Sequence, residues 1–460
     1  MPGLRIDDRA CRKFHFSHSE HSEESPSVIR SNLREILHFV QNDSFEVTEA
    51  DHMRIITDWH LHSRFSRACS PELTLENNAL WCEKKGVNVL GTADFTHPVW
   101  FAEMQEKLVE AEPGLYALRS GRFPSMRYMM TTEVAQIYKQ GGKTRRIHNI
   151  ILAPSIETVA KINQWLDSAG YNRRSDGRPI LGLDSEELYK RLRGIDERIV
   201  MIPAHAWTPW FSVFGSKSGF DWLEECFGEM TPYIYAIETG LSSDPLMNRS
   251  LSKLDNVMLI SNSDAHSPRN FGREANVFEI DPTKYSYDEF IRILRERDTK
   301  AFQYTIEFFP EEGKYHIDGC AACRFSCEPI QTKAIGGLCP TCKRPLTIGV
   351  VSRVNDLADR KIDIMPANHV PFKSIVPLQE IIAECVGVSS TAGKKVQEMY
   401  EKMIREIGNE FHILLDADTK SIAAIAGSRI ADAVLRVRSG NVSITPGYDG
   451  IYGKVKILNL

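Results

Sequence analysis

Two histidines separated by one residue, His60 and His62, follow a segment with the composition of a β-strand. Residues 54–59 are mostly β-branched or aromatic and contain no proline or glycine, which favours a strand. Side chains on a strand alternate between its two faces, so both imidazoles project to the same side. Two such imidazoles can share a divalent cation, although an isolated pair is also compatible with two exposed histidines.

Other residue types that bind metals recur further along the chain, each at a predicted strand. They are Asp94, His97, Glu133, His148, His205, Asp264 and His266. In a parallel barrel the carboxyl ends of all strands open onto one face, where active sites are built. Each residue alone is compatible with a helix cap or an ordinary histidine. Together with the histidine pair, the set predicts a site for several metals.

Alternating strands and helices are needed to bring these residues together. Between residues 53 and about 309 the sequence predicts strands at 87–90, 128–132, 147–152, 199–203, 233–237 and 257–261, and helices at 75–85, 155–169, 184–192 and 287–297. Strands that alternate with helices form a parallel sheet, and about seven such units predict a closed α/β barrel.

Four of the ten cysteines form two Cys-x-x-Cys pairs with fifteen residues between them. The pairs are Cys320 with Cys323, and Cys339 with Cys342. Two such pairs at this spacing form a tetrahedral thiolate site, which predicts a zinc ribbon holding one structural zinc. Cys327 is a second choice for one ligand. The other cysteines are scattered, which favours a reducing, cytoplasmic setting.

Length and composition limit the remaining possibilities. A chain of 460 residues with 42% hydrophobic and 25% charged residues predicts two or three globular domains. Its longest apolar runs are too short for a membrane span, and no P-loop or dinucleotide fingerprint occurs, so we expect no membrane or nucleotide cofactor. The net charge of -5 means that any contact with nucleic acid must use local basic patches.

Between residues 53 and about 300, the chain resembles the PHP (polymerase and histidinol phosphatase) superfamily. The resemblance rests on the histidine pair, the acidic turn, the glutamate, the two isolated histidines and the closing Asp-x-His: His60, His62, Asp94, Glu133, His148, His205, Asp264 and His266. It implies a distorted (β/α)7 barrel that holds two or three divalent metals (zinc, manganese, magnesium or iron). The chain departs from many members at Phe95 and at Ala68, where histidine is common.

Over residues 53–460, the order of barrel, zinc ribbon and glycine-rich tail at 446–453 resembles the endonuclease Q family. Members of that family cut DNA on the 5′ side of a deaminated base (uracil, hypoxanthine or xanthine) or an abasic site. The resemblance implies a metal-dependent DNA repair endonuclease whose partner is damaged DNA. We expect four segments: a disordered or spurious extension (1–52), because it is polar and repetitive and Met53 directly precedes the first strand; a hydrolase barrel (53–309); a zinc ribbon and following helix (310–360); and a small α/β DNA-contacting domain (361–460).

We assign His60 and His62, with Asp94 or Asp264, to one metal. Glu133 would bridge to a second metal held by the histidines at 148 and 205. The histidines at 97 and 266 would complete the second or a third position. As a catalytic residue, Asp264 could also orient the attacking water.

Residues near these ligands are candidates for DNA contacts. Arg64 and Arg67 follow the histidine pair and are predicted to contact phosphates. Trp207 and Trp210 follow His205 and could stack on a base, or equally could pack as a hydrophobic lid. Residues 314–361 contain eight Lys or Arg against four Asp or Glu, as expected of a module that faces DNA. A ribbon that only stabilises the fold is the alternative.

The main alternative is a phosphatase of the same superfamily that acts on a small phosphomonoester. It would use the same metals but would need neither the basic ribbon nor the tail. A second alternative is a DNA-binding scaffold with a decayed barrel, which the nearly complete ligand set argues against.

Overall fold

A mixed sheet of eleven strands dominates the computed structural model, which describes residues 52–361 and 369–458. The predicted extension therefore lies outside the described residues, apart from His52. The strands of the barrel region are β1 (Met53–Asp58), β2 (Val89–Gly91), β3 (Leu108–Glu112), β4 (Leu115–Leu118), β5 (Arg127–Gln140), β6 (Lys143–Ala153), β7 (Ile180–Leu181), β8 (Val200–Pro203), β9 (Ala236–Glu238), β10 (Met258–Ile260), β11 (Ala275–Ile280) and β12 (Phe302–Glu307).

Helices cover the outside of these strands. They are α1 (Leu75–Lys85), α2 (Pro98–Lys107), α3 (Ile156–Ser168), α4 (Ser185–Ile195), α5 (Leu223–Phe227), α6 (Pro245–Arg249) and α7 (Tyr287–Glu296). The predicted starts of two helices are explained by capping, since the side chains of Ser155 and Asp184 accept hydrogen bonds from backbone N–H groups in the first turns of α3 and α4.

Seven strands form a distorted ring: β1, β2, β5, β6, β8, β9 and β10. Strands β1, β2 and β5 pair in parallel, and β9 pairs in parallel with β10. Backbone hydrogen bonds just beyond the strand ends join the two halves. Ala206 N donates to Glu238 O over 3.0 Å, and His62 N donates to Ala265 O over 3.0 Å. The predicted fold class, a distorted α/β barrel of this type, is confirmed.

The prediction of a uniformly parallel sheet is wrong at β5 and β6. These two strands form a long antiparallel hairpin, and β6 also pairs antiparallel with β8. The hairpin turns at Gly141 and Gly142, whose φ angles of 59° and 75° favour glycine. His148 lies opposite Ala135 in this hairpin, so it reaches the site from the middle of its strand rather than from the end.

Strand β1 shows how alternation separates core from site. Trp59 points away from the neighbouring histidines and is buried against Phe278 and Phe290, with ring centroids 5.8 and 5.6 Å away. Phe290 comes from α7, whose packing covers that face of the sheet. The opposite face of β1 is thereby left for His60 and His62.

The ribbon follows the barrel. It contains the hairpin β13 (Asp318–Cys320) and β14 (Phe325–Cys327), then α8 (Pro329–Ala334) and α9 (Val350–Leu357). The carboxylate of Asp318 accepts hydrogen bonds from Gly349 N and Ser352 Oγ, which ties the hairpin to the start of α9. Next, β15 (Phe372–Ser374) pairs with β12 of the barrel sheet.

The C-terminal region is more helical than the sequence indicates. Its elements are α10 (Leu378–Val386), α11 (Lys394–Glu406), α12 (Thr419–Ala426), α13 (Ser428–Arg438) and the hairpin β16 (Ser443–Thr445) and β17 (Lys454–Lys456). The sequence predicts one helix over 386–406 and a strand over 411–415; the helix is confirmed only from Lys394 to Glu406, and the strand is wrong. Gly387 ends α10 in the left-handed conformation, and 412–416 form a helical turn that buries both Ile413 and Leu414.

Among the described residues, no helix has both the length and the apolarity needed to cross a membrane.

Candidate metal centre

The first group of candidate ligands joins His60 and His62, just after β1, to Asp264 in the turn after β10. One ligand atom from each residue lies within 4.8 Å of the others. Nε2 of His62 is 3.1 Å from Asp264 Oδ1, and Nε2 of His60 is 3.7 Å from the same oxygen. Both imidazoles are buried. Two histidines and a carboxylate are a ligand set suited to a divalent transition metal.

The second group joins Glu133 of β5, His148 of β6 and His205, which follows β8. Nδ1 of His148 lies 2.6 Å from Glu133 Oε1, and Nε2 of His205 lies 3.2 Å from the same oxygen. Burial lowers the pKa of His148 to about 4, against the opposing effect of Glu133. This imidazole is therefore neutral at physiological pH, which is the form that binds metal.

Glu133 connects the two groups through its two oxygens. While Oε1 contacts the second group, Oε2 lies 3.4 Å from His62 Nε2 and 3.7 Å from His60 Nε2. Burial raises the pKa of this carboxyl, but the contact with His148 and the charge of Arg178 hold it well below its usual range. Glu133 therefore stays ionised and is placed to serve both groups.

Three turns that carry site residues have left-handed backbone. The φ angles are 40° at Asp94, 29° at His205 and 46° at Asp264, although none of these residues is glycine. Such conformations cost roughly 1–3 kcal/mol each and persist where the surrounding structure enforces them. Their concentration at these strand ends indicates that the fold holds these side chains in position at a cost in stability.

Carboxylates behind the histidines fix their orientation. Glu238, at the end of β9, lies 3.0 Å from His60 Nδ1 and also accepts hydrogen bonds from His205 N and Asn262 Nδ2. Asp94 lies 3.4 Å from His62 Nδ1. Hydrogen bonds of this kind set the ring tautomer and direct the other nitrogen toward a metal. Sequence reasoning missed Glu238, because this residue lacks the spacing of a metal motif; its position at the end of a predicted strand was the one signal that could have found it.

The donor atoms fit metal binding. Nε2 of His60 is buried and has no hydrogen-bond partner, while the other ring nitrogen is held by Glu238. Burial lowers the pKa of His62, but hydrogen bonds with Asp264 and Asp94 outweigh this and raise it to about 9. A cation can therefore replace protons among ionised carboxylates here. The described residues of the barrel thus hold two sets of ligands suited to metal.

Replacing Glu238 with glutamine should weaken metal binding without removing a ligand. The amide can still hydrogen-bond but carries no charge, so the basicity of His60 should fall. We expect the affinity for barrel metal to drop by about 10- to 100-fold, as is typical of such supporting carboxylates. Titration of metal-free protein with Mn²⁺ or Zn²⁺ measures this. Unchanged affinity would contradict the role given to Glu238.

Three predicted ligands lie outside both groups. Asp94 Oδ2 accepts hydrogen bonds of 2.7 Å from Ser63 N, Ser63 Oγ and Ser66 Oγ, so the structure groups Asp264, rather than Asp94, with the histidine pair. His97 stacks on Phe65 at 4.3 Å. His266 is partly exposed, with its ring 4.6 Å from that of His62.

Arg178 is a site residue that the sequence did not indicate. Its guanidinium lies 2.8 Å from Glu133 Oε2 and is partly exposed. Backbone hydrogen bonds fix its neighbours: Gly177 N donates to Phe65 O, and Ala135 N donates to Pro179 O. A Cβ at Gly177 would lie 2.2 Å from Asp94 Oδ2, so only glycine lets this segment pass so close to the site. The segment thus delivers a cation to the carboxylate shared by both groups.

The four residues predicted to contact DNA have different environments. Trp207 is buried and donates its indole N–H to Asn248 Oδ1 over 2.7 Å, so its assignment to DNA is wrong. Arg64 pairs with Glu103 and lies over Trp100. Arg67 is exposed, and Trp210 is 38% exposed.

The four cysteines of the ribbon come together at the turn of the β13–β14 hairpin. Their sulfur atoms all lie within 4.8 Å of one another, as a tetrahedral thiolate site requires: Cys320, Cys323, Cys339 and Cys342. Backbone N–H groups of Cys342 and Thr341 help lower the pKa of the Cys339 thiol to about 6, which favours the thiolate. Cys327 instead contacts Thr332 Oγ1 at 3.2 Å and lies outside the four.

Replacing Cys339 with serine should release one zinc per chain and destabilise the ribbon, because a structural zinc site contributes directly to folding. Cys327→Ser is the matched control, since it removes a buried thiol of the same hairpin that is not one of the four. Zinc content by mass spectrometry distinguishes the two variants. Equal zinc content in both would rule out the four-cysteine site.

Comparisons with known proteins agree with this architecture. Residues 377–441 match the family model described as the MJ0043 C-terminal domain. The uncharacterized protein MJ0043 of Methanocaldococcus jannaschii is 32% identical over 55% of this chain, but the match spans only 31% of that relative's length. The uncharacterized protein YqxK of Bacillus subtilis is 28% identical over 81% of this chain and 90% of its own length.

Two solved structures are similar over most of their length. The lesion-specific endonuclease PfuEndoQ of Pyrococcus furiosus aligns with a TM-score of 0.77 and 28% identity, covering 88% of this chain and 95% of its own. A complex of Endonuclease Q with a 27-mer duplex carrying an abasic lesion aligns with a TM-score of 0.77 and 29% identity, over 88% and 97%. Since these similarities extend from the barrel to the C-terminal helices, they support the assignment of this chain to the endonuclease Q family.

Proposed function

We propose that this protein is a metal-dependent DNA repair endonuclease. It would hydrolyse the phosphodiester on the 5′ side of a deaminated base (uracil, hypoxanthine or xanthine) or of an abasic site. The observation that carries the proposal is the pair of ligand groups joined by Glu133, in a chain of the endonuclease Q family. The two similar structures, a lesion-specific endonuclease and a complex with an abasic duplex, support the substrate class.

Two divalent metals would occupy the barrel site, one in each group, and one structural zinc would occupy the ribbon. The first would be held by His60, His62 and Asp264, the second by the histidines at 148 and 205, and Glu133 would serve both. Metals held there would supply Lewis acidity, which activates water and neutralises charge on the phosphate. His97 and His266 are the remaining candidates for a third position.

The chain's own residues would position the reacting groups. Arg178 places a positive charge beside Glu133 at a partly exposed position, where it can bind a phosphate oxygen once substrate competes for it. Asp264, partly exposed at the mouth of the site, can accept a hydrogen bond from the attacking water and so orient it toward phosphorus. Both roles require an anionic, extended substrate at the opening of the barrel.

The same proposal gives each segment of the chain its own role. The barrel over 53–309 would cut, the ribbon and following helix over 310–360 would hold a zinc, and residues 361–460 would contact DNA. The exposed guanidinium of Arg67 would contribute a phosphate contact beside the site, and Trp210 would contact a base.

End-labelled duplexes carrying one uracil, hypoxanthine, xanthine or abasic site test the proposal. With Mn²⁺ or Zn²⁺ present, purified protein should cut the damaged strand and spare an otherwise identical undamaged duplex. The matched substrate for the alternative is a small phosphomonoester such as p-nitrophenyl phosphate. Rapid hydrolysis of that compound, with every duplex left intact, would overturn the proposal in favour of a phosphatase.

A further inference from the structure

Three distant parts of the chain meet at an exposed surface of aromatic rings and one cation. Trp210 belongs to the loop after β8, Lys314 and Tyr315 precede the ribbon hairpin, and Tyr452 lies in the turn between β16 and β17. We call these four residues the aromatic platform. The rings of Trp210 and Tyr315 meet edge to face, with centroids 5.5 Å apart. Nζ of Lys314 lies 5.9 Å from the centroid of Tyr315 and 5.6 Å from that of Tyr452.

The platform remains open to solvent despite these contacts. Tyr452 is 68% exposed, Trp210 is 38% exposed, and Lys314 is also exposed. Among the described aromatic residues, only Tyr233 is exposed besides Trp210 and Tyr452, so two open rings beside one cation form an unusual surface. A cation between the rings adds an attraction for anions. Ring faces combined with a positive charge fit a strand of nucleic acid whose bases are unstacked.

The loop of Trp210 is attached directly to the metal centre. Thr208 Oγ1 donates to Trp210 O over 2.9 Å and lies 3.2 Å from His205 Nδ1. The next residue, Phe211, accepts a hydrogen bond from His148 N over 3.2 Å, and its ring centroid lies 4.6 Å from that of His148. The platform therefore borders the second ligand group, so a strand bound on it would pass beside the cutting site.

The turn that carries Tyr452 is fixed to the ribbon. Both oxygens of Asp449 accept hydrogen bonds of 2.6 Å, one from Ala321 N and one from Thr347 Oγ1. Ala321 lies between Cys320 and Cys323, so this turn is anchored on the loop that carries the first Cys-x-x-Cys pair. Gly450 N also donates to Lys314 O over 2.8 Å. These bonds hold Tyr452 beside Lys314 before any ligand arrives, which reduces the entropy cost of binding.

We propose that the aromatic platform binds unpaired nucleotides of the DNA strand next to the cutting site. The rings would stack on bases, and Lys314 would contact the phosphate between them. An intact duplex keeps its bases stacked on one another, so the platform favours DNA opened around a lesion. The inference rests on the proposed function, because it places this strand at the same metal centre, but it concerns binding rather than cutting.

The test measures binding of the full chain, without catalysis, by fluorescence anisotropy. The probes are a labelled single-stranded oligonucleotide and an undamaged duplex of the same sequence, both at several salt concentrations. Tyr452→Ala should weaken single-strand binding by about tenfold, which corresponds to ~1.4 kcal/mol and lies within the range for one stacked base. Tyr452→Phe keeps the ring and should bind as the original protein does. Lys314→Ala should weaken single-strand binding and reduce its salt dependence by about one counterion.

Tyr233 provides a matched control. Like Tyr452, it is an exposed tyrosine (38%) with a cation near its ring, since the guanidinium of Arg193 lies 4.1 Å from the ring centroid. Unlike Tyr452, it precedes β9 and so lies at the other end of the barrel. Tyr233→Ala should leave binding of both probes unchanged. The proposal is overturned if Tyr452→Ala binds the single strand normally, or if it weakens the duplex equally. Incision is measured separately, so an inactive protein would count against the proposed function and leave the binding result interpretable.

Discussion

Asp264→Ala should lose incision of a uracil-containing duplex by on the order of a thousandfold or more, which exceeds the 10- to 100-fold typical of residues behind the ligands. Asp264 is the only carboxylate within the first group, and its Oδ1 lies within 3.7 Å of both histidines. Its removal should therefore disturb metal binding and water orientation together. The measurement is single-turnover cleavage of an end-labelled strand, with metal content determined on the same samples.

Binding of the damaged duplex should survive in Asp264→Ala, because phosphate contacts and stacking come from other residues. Asp288→Ala is the control: this aspartate is exposed in the first turn of α7, on the helix that covers the opposite face of β1. It should cut and bind normally. Full incision by Asp264→Ala would contradict the account, as would an equal loss in the control.

Glu133→Gln should have an effect at least as large, because one carboxylate serves both ligand groups. Its oxygens contact the histidines of each group and also Arg178. An amide keeps the shape but removes the charge, which leaves the buried edge of the Arg178 guanidinium unpaired and weakens both metal positions. We expect loss of incision by on the order of a thousandfold or more, beyond the effect of a supporting carboxylate, and loss of metal from both groups.

Glu274→Gln is a suitable control for that substitution. Glu274 is also buried, but its burial and the nearby charge of Glu307 raise its pKa well above the usual range. The neutral form of this carboxyl is therefore favoured more than in an ordinary glutamate, so an amide changes its charge less than it changes that of Glu133. Metal content measured by mass spectrometry should fall in Glu133→Gln and stay unchanged in Glu274→Gln. Retention of all barrel metal in Glu133→Gln would show that Glu133 is not shared.

Local patterns were sufficient to predict the fold class and most of the residues that the structure brings together. The period of two on a strand places His60 and His62 on one side, and this depends only on neighbouring residues. The hairpin of β5 and β6 was missed although its signal, Gly141 and Gly142, was present in the sequence. The strand predicted at 411–415 fails because a short apolar run is compatible with either a strand or a buried helical turn.

Long-range contacts account for what the sequence could not supply. Whether Asp94 or Asp264 joins the histidines depends on how the fold places two turns that lie more than a hundred residues apart in the sequence. Trp207 and Trp210 lie close in sequence, yet one donates to Asn248 in the core and the other meets Tyr315 at the surface. The roles of Glu238 and Arg178 likewise appear only when the barrel closes. Such choices depend on tertiary packing, which residue types and spacing do not encode.

The chemical structure of the cut ends is the most direct test of whether this protein cuts damaged DNA by metal-dependent hydrolysis. Protein stripped of metal by a chelator and then reloaded with Mn²⁺ or Zn²⁺ is incubated with an end-labelled duplex containing one uracil. The products are run beside lyase-treated and marker strands on a sequencing gel. Water activated at this site would attack phosphorus without a sugar intermediate, so we expect a metal-dependent cut immediately 5′ to the lesion, with 3′-hydroxyl and 5′-phosphate ends. A β-elimination end, or equal cutting by the metal-free protein, would contradict it.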